Sequence, residues 1–358
     1  MTPPRAGRSD LVSVVMPLRN EARFVREAVQ SVLDQDLPGL EIEVLAVDGL
    51  STDGSREILN ELAARGGRLR IIDNPYRLTP HALNLGLRAA AGEHVGIFGS
   101  HAAYDRDYVA TCLDELRRHG AVGCSGRIVA TPADESLSAR LVTWTLGSSF
   151  ASSGRSFRTA PEGYADTIAY PIFRKDALLE LGGYNERLVR NQDNDMNERL
   201  RAAGHRLYLT WKTTARYRTQ PGLRPLMRYA YRAGYWNFVT LRENIRAMRG
   251  RHFAPLVFVN GLAAAAVAAG ASAAAGDKRL AAGFGLAAAA ALALHLAAGL
   301  ATSLRIALRE RSAAALLVAP FILAFHLSYG AGTSAALLRR ARPPSVQALR
   351  EPAGEATR

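Results

Sequence analysis

Four short stretches carry the residue types that chemistry needs. Pro17-Leu-Arg-Asn-Glu21 follows one β-branched run, and Asp48-Gly-Leu-Ser-Thr-Asp-Gly-Ser55 follows another. A carboxylate at a strand end, with small polar residues leading into a helix, can take the hydrogens of a ribose or a uracil while the backbone accommodates the nucleotide. The same arrangement also suits an Asp N-cap with a Gly turn, and spacing alone leaves both readings open. Neither G-x-G-x-x-G nor G-x-x-x-x-G-K-[ST] occurs, so dinucleotide and P-loop sites lose their main support. Gly99-Ser100-His101 ends a further apolar run. Asn191-Gln-Asp-Asn-Asp195 opens a helical pattern, where free N–H groups and the dipole favour an acid. A helix start accounts for one acid there, but not obviously for Asp193 and Asp195 together.

The elements that must position these residues follow one grammar. Leu11–Met16, Ile42–Val47, Leu69–Ile72 and His94–Phe98 read as strands, and helical patterns follow the first three through Phe24 to Val32, Ile58 to Leu62 and Ala82 to Leu87. Such alternation predicts an α/β domain with a mostly parallel sheet, whose ligands bind at the carboxyl ends of the strands. Between 120 and 220 the pattern changes to shorter strands and Gly/Ser/Thr-rich loops. From Pro225 to Arg251 a helix rich in Tyr, Trp and Arg has the mixture of a headgroup layer.

Three apolar stretches follow at about 253–276, 280–304 and 313–338, each exceeding the roughly 20 residues that cross hydrocarbon. Arg246, Arg249 and Arg251 before the first stretch, and Arg305, Arg309 and Arg311 after the second, fit cytoplasmic ends. Three simple crossings would then leave Arg339, Arg340 and Arg342 outside, so one segment is expected to be re-entrant or interfacial. The 358 residues carry a net charge of +13, but 11 Lys and Arg against 4 Asp and Glu lie beyond residue 250, where arginines flank apolar segments. That distribution argues against nucleic acid as a partner. Two cysteines, Cys112 and Cys124, are too few for a disulfide framework or a zinc site. MTPPRAGRSD has no apolar core of a signal peptide, so the soluble part is expected on the cytoplasmic side of the plasma (inner) membrane.

The strings Val14-Val-Met-Pro-Leu-Arg-Asn-Glu21, Val47-Asp-Gly-Leu-Ser-Thr-Asp-Gly54, Asn74-Pro75 and Ala82-Leu-Asn-Leu-Gly86 resemble those of family 2 glycosyltransferases with the GT-A nucleotide-sugar-binding fold. Ser100-His-Ala-Ala-Tyr104, Gly182-Gly-Tyr-Asn-Glu186 and Arg190-Asn-Gln-Asp-Asn-Asp195 make the chain most similar to the succinoglycan-type exopolysaccharide enzymes. The resemblance covers about residues 10–240. It implies a donor pocket holding Pro17, Arg19, Glu21, Asp48 and Ser51, with Ser100 and His101 at the end of strand four. It also implies an Asp-x-Asp-like site for Mg²⁺ or Mn²⁺ there, and in this sequence Gly99 and His101 stand in the places of the two acids. His101 is then the candidate metal ligand, with Asp105 or Asp107 as substitutes. Asp193 falls on the family's general base, Asp195 on an assisting position that orients acceptor or metal, and Arg77 or Arg190 is suited to phosphate.

The expected organisation is a disordered start (1–10), a nucleotide-sugar-binding half (11–120), an acceptor-side half (121–224), an interfacial helix (225–252), a membrane region (253–338) and a basic tail (339–358). The expected activity is inverting transfer of one sugar from a nucleoside diphosphate sugar, UDP-linked by default, to a lipid-linked or polysaccharide acceptor. The processive signature Q-x-x-R-W is absent. The alternative is a non-catalytic, sugar-nucleotide-binding membrane subunit, motivated by Gly99.

Overall fold

The computed structural model describes residues 7–152 and 156–341. In chain order the strands are β1 (Arg8–Leu18), β2 (Glu41–Asp48), β3 (Leu69–Asp73), β4 (Gly92–Ile97), β5 (Ala102–Tyr104), β6 (Gly123–Pro132), β7 (Gly163–Tyr164), β8 (Ile172–Arg174) and β9 (Leu207–Thr219). The helices are α1 (Val25–Leu33), α2 (Ser55–Ala64), α3 (Thr79–Ala89), α4 (Tyr108–Arg118), α5 (Leu137–Leu146), α6 (Ser149–Ser152), α7 (Lys175–Glu180), α8 (Gln192–Ala202), α9 (Leu223–Glu243), α10 (Ala254–Ala274), α11 (Lys278–Glu310) and α12 (Val318–Leu338). The chain divides into two compact units, one built from residues up to 129 with 156–218, the other from 130–152 with 219–341.

The first unit is a sheet in the order β3-β2-β1-β4-β8-β6-β9-β5, with β7 also paired to β9. The four leading strands are parallel. The pairs β4–β8, β8–β6, β9–β5 and β9–β7 are antiparallel, so the sheet is mixed rather than mostly parallel. β1 reads as a continuous apolar run because Val12, Val14, Val15 and Met16 are all buried, as befits a strand covered on both faces. α1 buries Val25, Ala28, Val29 and Val32 at helical spacing. Gly86 lets α3 lie on β1, since a Cβ there would drive into the Val15 side chain. One core cluster joins Val15, Leu45, Leu87, Val95, Phe173 and Leu178 with Met196 and Leu200 of α8. β1 begins earlier than the expected boundary at residue 11, because Arg8 is tied to Asp10 and to Glu41 of β2. Residues 1–6 and 342–358 of the expected disordered ends lie outside the described residues.

The second unit gathers, among the described residues, every helix long and apolar enough to cross a membrane: Gly250–Ala274, Lys278–Glu310 and Ala313–Leu338. It also takes residues 130–152, which the sequence assigned to the acceptor-side half. Of Thr143–Phe150, expected as strand and loop, Thr143–Leu146 closes α5, whose Ser136 N-cap accepts from the Ala139 N–H at 3.2 Å, and Ser149 and Phe150 open α6. Leu141 and Trp144 of α5 pack on Ile306, Val318 and Ile322, while Val142 and Leu146 pack on Leu226, Ala230 and Phe325. α9 is no lone surface helix, since Gly234 abuts the Tyr329 carbonyl of α12 and Gly332 abuts the Tyr231 carbonyl of α9. A chain ending at residue 245 removes α10–α12 and bares these faces of α5 and α9. It is therefore expected to remain dependent on detergent, and a monodisperse, detergent-free monomer on size exclusion would contradict this packing.

Candidate active site

Running β1→β2→β3 to one side and then β4 to the other makes the β1/β4 edge the switch point of the parallel half, where ligands of such sheets bind. A cavity of about 370 Å³ opens there. Its wall includes Pro17, Arg19 and Glu21 from the β1 end, Gly99, Ser100 and His101 from the β4 end, and Tyr170 and Asp193 from the second half of the unit. Of the sequence-expected site residues, the structure brings together Pro17, Arg19, Glu21, Ser100, His101 and Asp193. Asp48, Ser51, Arg77, Arg190 and Asp195 do not line the cavity.

Asp48 is fully buried and its acceptors are engaged. Oδ1 takes the Ser51 N–H at 3.0 Å and the Ser51 hydroxyl at 2.6 Å, and Oδ2 takes Arg56 at 3.2 Å. Ser51 Oγ in turn accepts from the Asn20 N–H at 2.9 Å, while Asn20 Oδ1 accepts from the Thr52 N–H at 2.9 Å. Asp48 and Ser51 thus brace the β1 and β2 loops against each other, a different place from the expected one on the nucleoside. Asp48→Ala leaves the Ser51 and Arg56 donors without that acceptor and is expected to cost about 2 kcal/mol of stability, the scale for hydrogen bonds to a charged group. Denaturant unfolding with an unchanged midpoint would contradict the bracing role.

Glu21 stands beside this lattice, its backbone N–H given to Ser55 Oγ at 2.8 Å. Burial, and then the charge of Asp53, push its carboxyl up to about 7. The His101 ring Nδ1 lies 3.8 Å from Glu21 Oε1, and burial holds that imidazole below its ordinary value. Arg19 is exposed at the cavity wall, its stem against Gly49. Among the described residues it has no hydrogen-bond or ion-pair partner.

Asn84 of α3 joins two sequence strings that chemistry alone would not connect. Its amide donates to the Tyr184 carbonyl and to Glu186 Oε1, each at 2.9 Å, and its oxygen accepts from the Tyr184 N–H at 2.8 Å. Gly183 sits at φ +78° against that oxygen, so a side chain is excluded there twice over. This clamp presents the start of α8. Asn191 takes a left-handed turn, φ 61°, and the helix opens at Gln192. Asp193 Oδ1 accepts from the Asn194 N–H at 2.8 Å, and burial raises its pKa against the opposing pull of that N–H and of Arg158. Asp195 is a different case. Buried and not part of the cavity lining, it receives Arg199 Nε at 2.9 Å, and Arg199 donates onward to the Leu181 and Gly183 carbonyls at 2.9 and 2.7 Å. Its geometry is that of a brace rather than of a group orienting acceptor or metal.

The metal expectation meets a misfit. Mg²⁺ at nucleotide phosphates is held by one or two carboxylates together with the phosphates. Gly99-Ser100-His101 offers none, and a Cβ on Gly99 would stand 2.7 Å from Tyr170 Cε1 and 3.1 Å from its hydroxyl. Asp105 is committed to Arg216 and to the Thr214 N–H, and Asp107 accepts from Thr213 Oγ1 at 2.7 Å. No cluster of three or more His, Cys, Asp and Glu suited to a metal occurs among the described residues. Tyr170 escaped the sequence reading. Its only signal was a glycine where an acid belongs, which hints that something large fills the space.

Comparison with known proteins agrees with this architecture. The family model Glycosyl transferase family 2 matches residues 13–182. The chain is 30% identical over 217 residues to the "Succinoglycan biosynthesis protein ExoA" of Rhizobium meliloti (strain 1021), covering 60% of this chain and 64% of that protein's length. It is 24% identical over 251 residues to a "Dolichyl N-acetyl-alpha-D-glucosaminyl phosphate 3-beta-D-2,3-diacetamido-2,3-dideoxy-beta-D-glucuronosyltransferase" of Methanococcus voltae, covering 65% of this chain and 77% of that one. Among solved structures, "Mannosyltransferase PcManGT from Pyrobaculum calidifontis in complex with GDP-Man and Mn2+" shares the fold at TM-score 0.52 and 20% identity, over 90% of this chain and 87% of that one. The chain carries, over residues 13–182, a glycosyl transferase family 2 domain.

Proposed function

We propose that the protein is a membrane-anchored inverting glycosyltransferase, passing a sugar from a nucleoside diphosphate donor, UDP-linked by default, to a lipid-linked or polysaccharide acceptor in exopolysaccharide or cell-envelope glycan synthesis. The observation that carries this reading is the switch-point cavity, whose lining includes both Arg19, a guanidinium, and Asp193, a carboxyl of raised pKa. The names of the Rhizobium and Methanococcus relatives support the glycan and lipid-linked classes of acceptor. Three candidate spans support membrane association, and the arginine flanks favour a cytoplasmic transfer domain in the plasma membrane.

In this reading the acceptor hydroxyl oxygen bonds to the anomeric carbon. The bond from that carbon to the β-phosphate oxygen breaks on the opposite face, and its electron pair leaves on the diphosphate. The hydroxyl proton passes to Asp193, whose raised pKa brings it nearer the working pH of a general base. Pro17 and Glu21 flank the nucleotide, Arg19 faces its phosphates, and Ser100 and His101 lie at the diphosphate end. The Mn²⁺ of the Pyrobaculum structure belongs to that protein. The test is a donor screen on detergent-solubilised full chain, following release of nucleoside diphosphate with bacterial lipid extract as acceptor. Release from one donor, dependent on acceptor, is expected. Tight binding of a sugar nucleotide without turnover under any metal would favour the non-catalytic subunit instead.

A further inference from the structure

Gly99 and Tyr170 are a matched pair. The Tyr170 ring occupies the room that any side chain on residue 99 would need, with its hydroxyl 3.1 Å from the place of the missing Cβ. Nothing about this placement is cheap. Tyr170 has φ 52°, a left-handed conformation unfavourable for a bulky residue and more so before a proline. The surroundings hold it there. Tyr108 Oη donates to the Tyr170 carbonyl at 2.8 Å, the Tyr104 ring meets Tyr170 edge-on at 5.9 Å, and the Ile97 N–H donates to the Pro171 carbonyl at 2.9 Å. Such over-determined strain clusters where a side chain has a task. Tyr170 lines the same cavity as Arg19, whose charge has no partner among the described residues.

We propose that this domain handles the departing diphosphate without a divalent cation, with Tyr170 donating a hydrogen bond beside Gly99 and Arg19 supplying positive charge from the lining of the same cavity. The inference rests on the donor reading above. As the bond from the anomeric carbon to the β-phosphate oxygen breaks, its electron pair settles on the diphosphate. The phenol O–H, which stays a neutral donor, and the guanidinium stabilise that charge, while the acceptor's proton goes to Asp193. A donor aimed at developing charge acts mainly in the transition state, and a guanidinium matches phosphate oxygens bidentately.

Calorimetry of UDP and GDP binding to the full chain in detergent, in EDTA and in Mn²⁺, tests this directly. The better-bound nucleotide is expected to show the same affinity within about twofold in both, and turnover is expected to survive EDTA. Tyr170→Phe keeps the ring over Gly99, so it is expected to leave folding and nucleotide affinity intact while lowering kcat by about 10²-fold, the scale for one lost oxyanion donor. Arg19→Ala is expected to weaken nucleotide binding by about tenfold or more. The double variant Gly99→Asp with Tyr170→Ala reopens the room and should make nucleotide binding tighten with Mn²⁺. Wild-type binding that Mn²⁺ tightens tenfold, or turnover abolished by EDTA and restored by Mn²⁺, overturns the inference alone and leaves the donor reading standing. Unchanged kcat in Tyr170→Phe removes that residue's role. No nucleotide binding under either condition sinks both readings together.

Discussion

Asp193→Asn is expected to lower turnover by about 10²–10⁴-fold, the usual range for a lost general base, while folding and nucleotide affinity stay close to wild type. An amide still accepts the Asn194 N–H at the helix start, so the local hydrogen bond survives. It cannot usefully take a proton near neutral pH. The raised pKa of Asp193 adds a pH signature: a base must be deprotonated, so turnover should climb with pH through that pKa, with the acid limb shifted upward from that of an ordinary aspartate. In the Asn variant this limb should vanish from the residual activity. Asp195→Asn makes the contrast. Two residues along the same helix, Asp195 anchors Arg199, which holds the Leu181 and Gly183 carbonyls. Its replacement is expected to cost stability, about 1–3 kcal/mol for weakening a buried charged contact, with a smaller effect per folded molecule on turnover. Near-wild-type turnover in Asp193→Asn with nucleotide binding unchanged would take Asp193 out of the mechanism.

Gly332→Ala is expected to be strongly damaging in the helical unit. A Cβ at that position meets the main chain of Tyr231, and backbone cannot step aside as a flexible side chain can. The reciprocal contact of Gly234 with the Tyr329 carbonyl, and the Thr333 hydroxyl donating to the Gly234 carbonyl at 3.0 Å, show how closely α9 and α12 approach. Small residues make such seams where apolar lipid offers no hydrophobic drive to association. Forcing them apart is expected to cost about 1–3 kcal/mol, the scale of overpacking, and to lower the melting temperature in detergent by several degrees. Gly283→Ala in α11 is the control, because a Cβ there meets nothing within 4 Å and alanine is the better helix former. Equal melting of the two variants would refute the seam.

How much of this was legible in one dimension depends on the range of the forces involved. The first four strands, the helices between them, the site at the strand ends, the helix opening at Asp193 and the three apolar spans all rest on local periodicity and length, which a sequence displays directly. Strand polarity pointed to the ends of β1 and β4, and the family resemblance singled out Pro17, Arg19, Glu21, Ser100 and His101 there, all of which line the cavity. Four things required the tertiary structure. Residues 137–146 read as strand and loop because their two apolar faces make sense only against Ile306, Val318, Leu226 and Phe325, far away in the chain. Asp48 and Asp195 looked as available as Asp193, since an acid's freedom is decided by its donors, Ser51 and Arg56 for one and Arg199 for the other. The antiparallel half of the sheet depends on pairings across long sequence separations. Finally, Gly99 read as a ligand lost from a metal site, whereas packing shows a space filled by Tyr170, a residue 71 positions later that no local pattern connects to it.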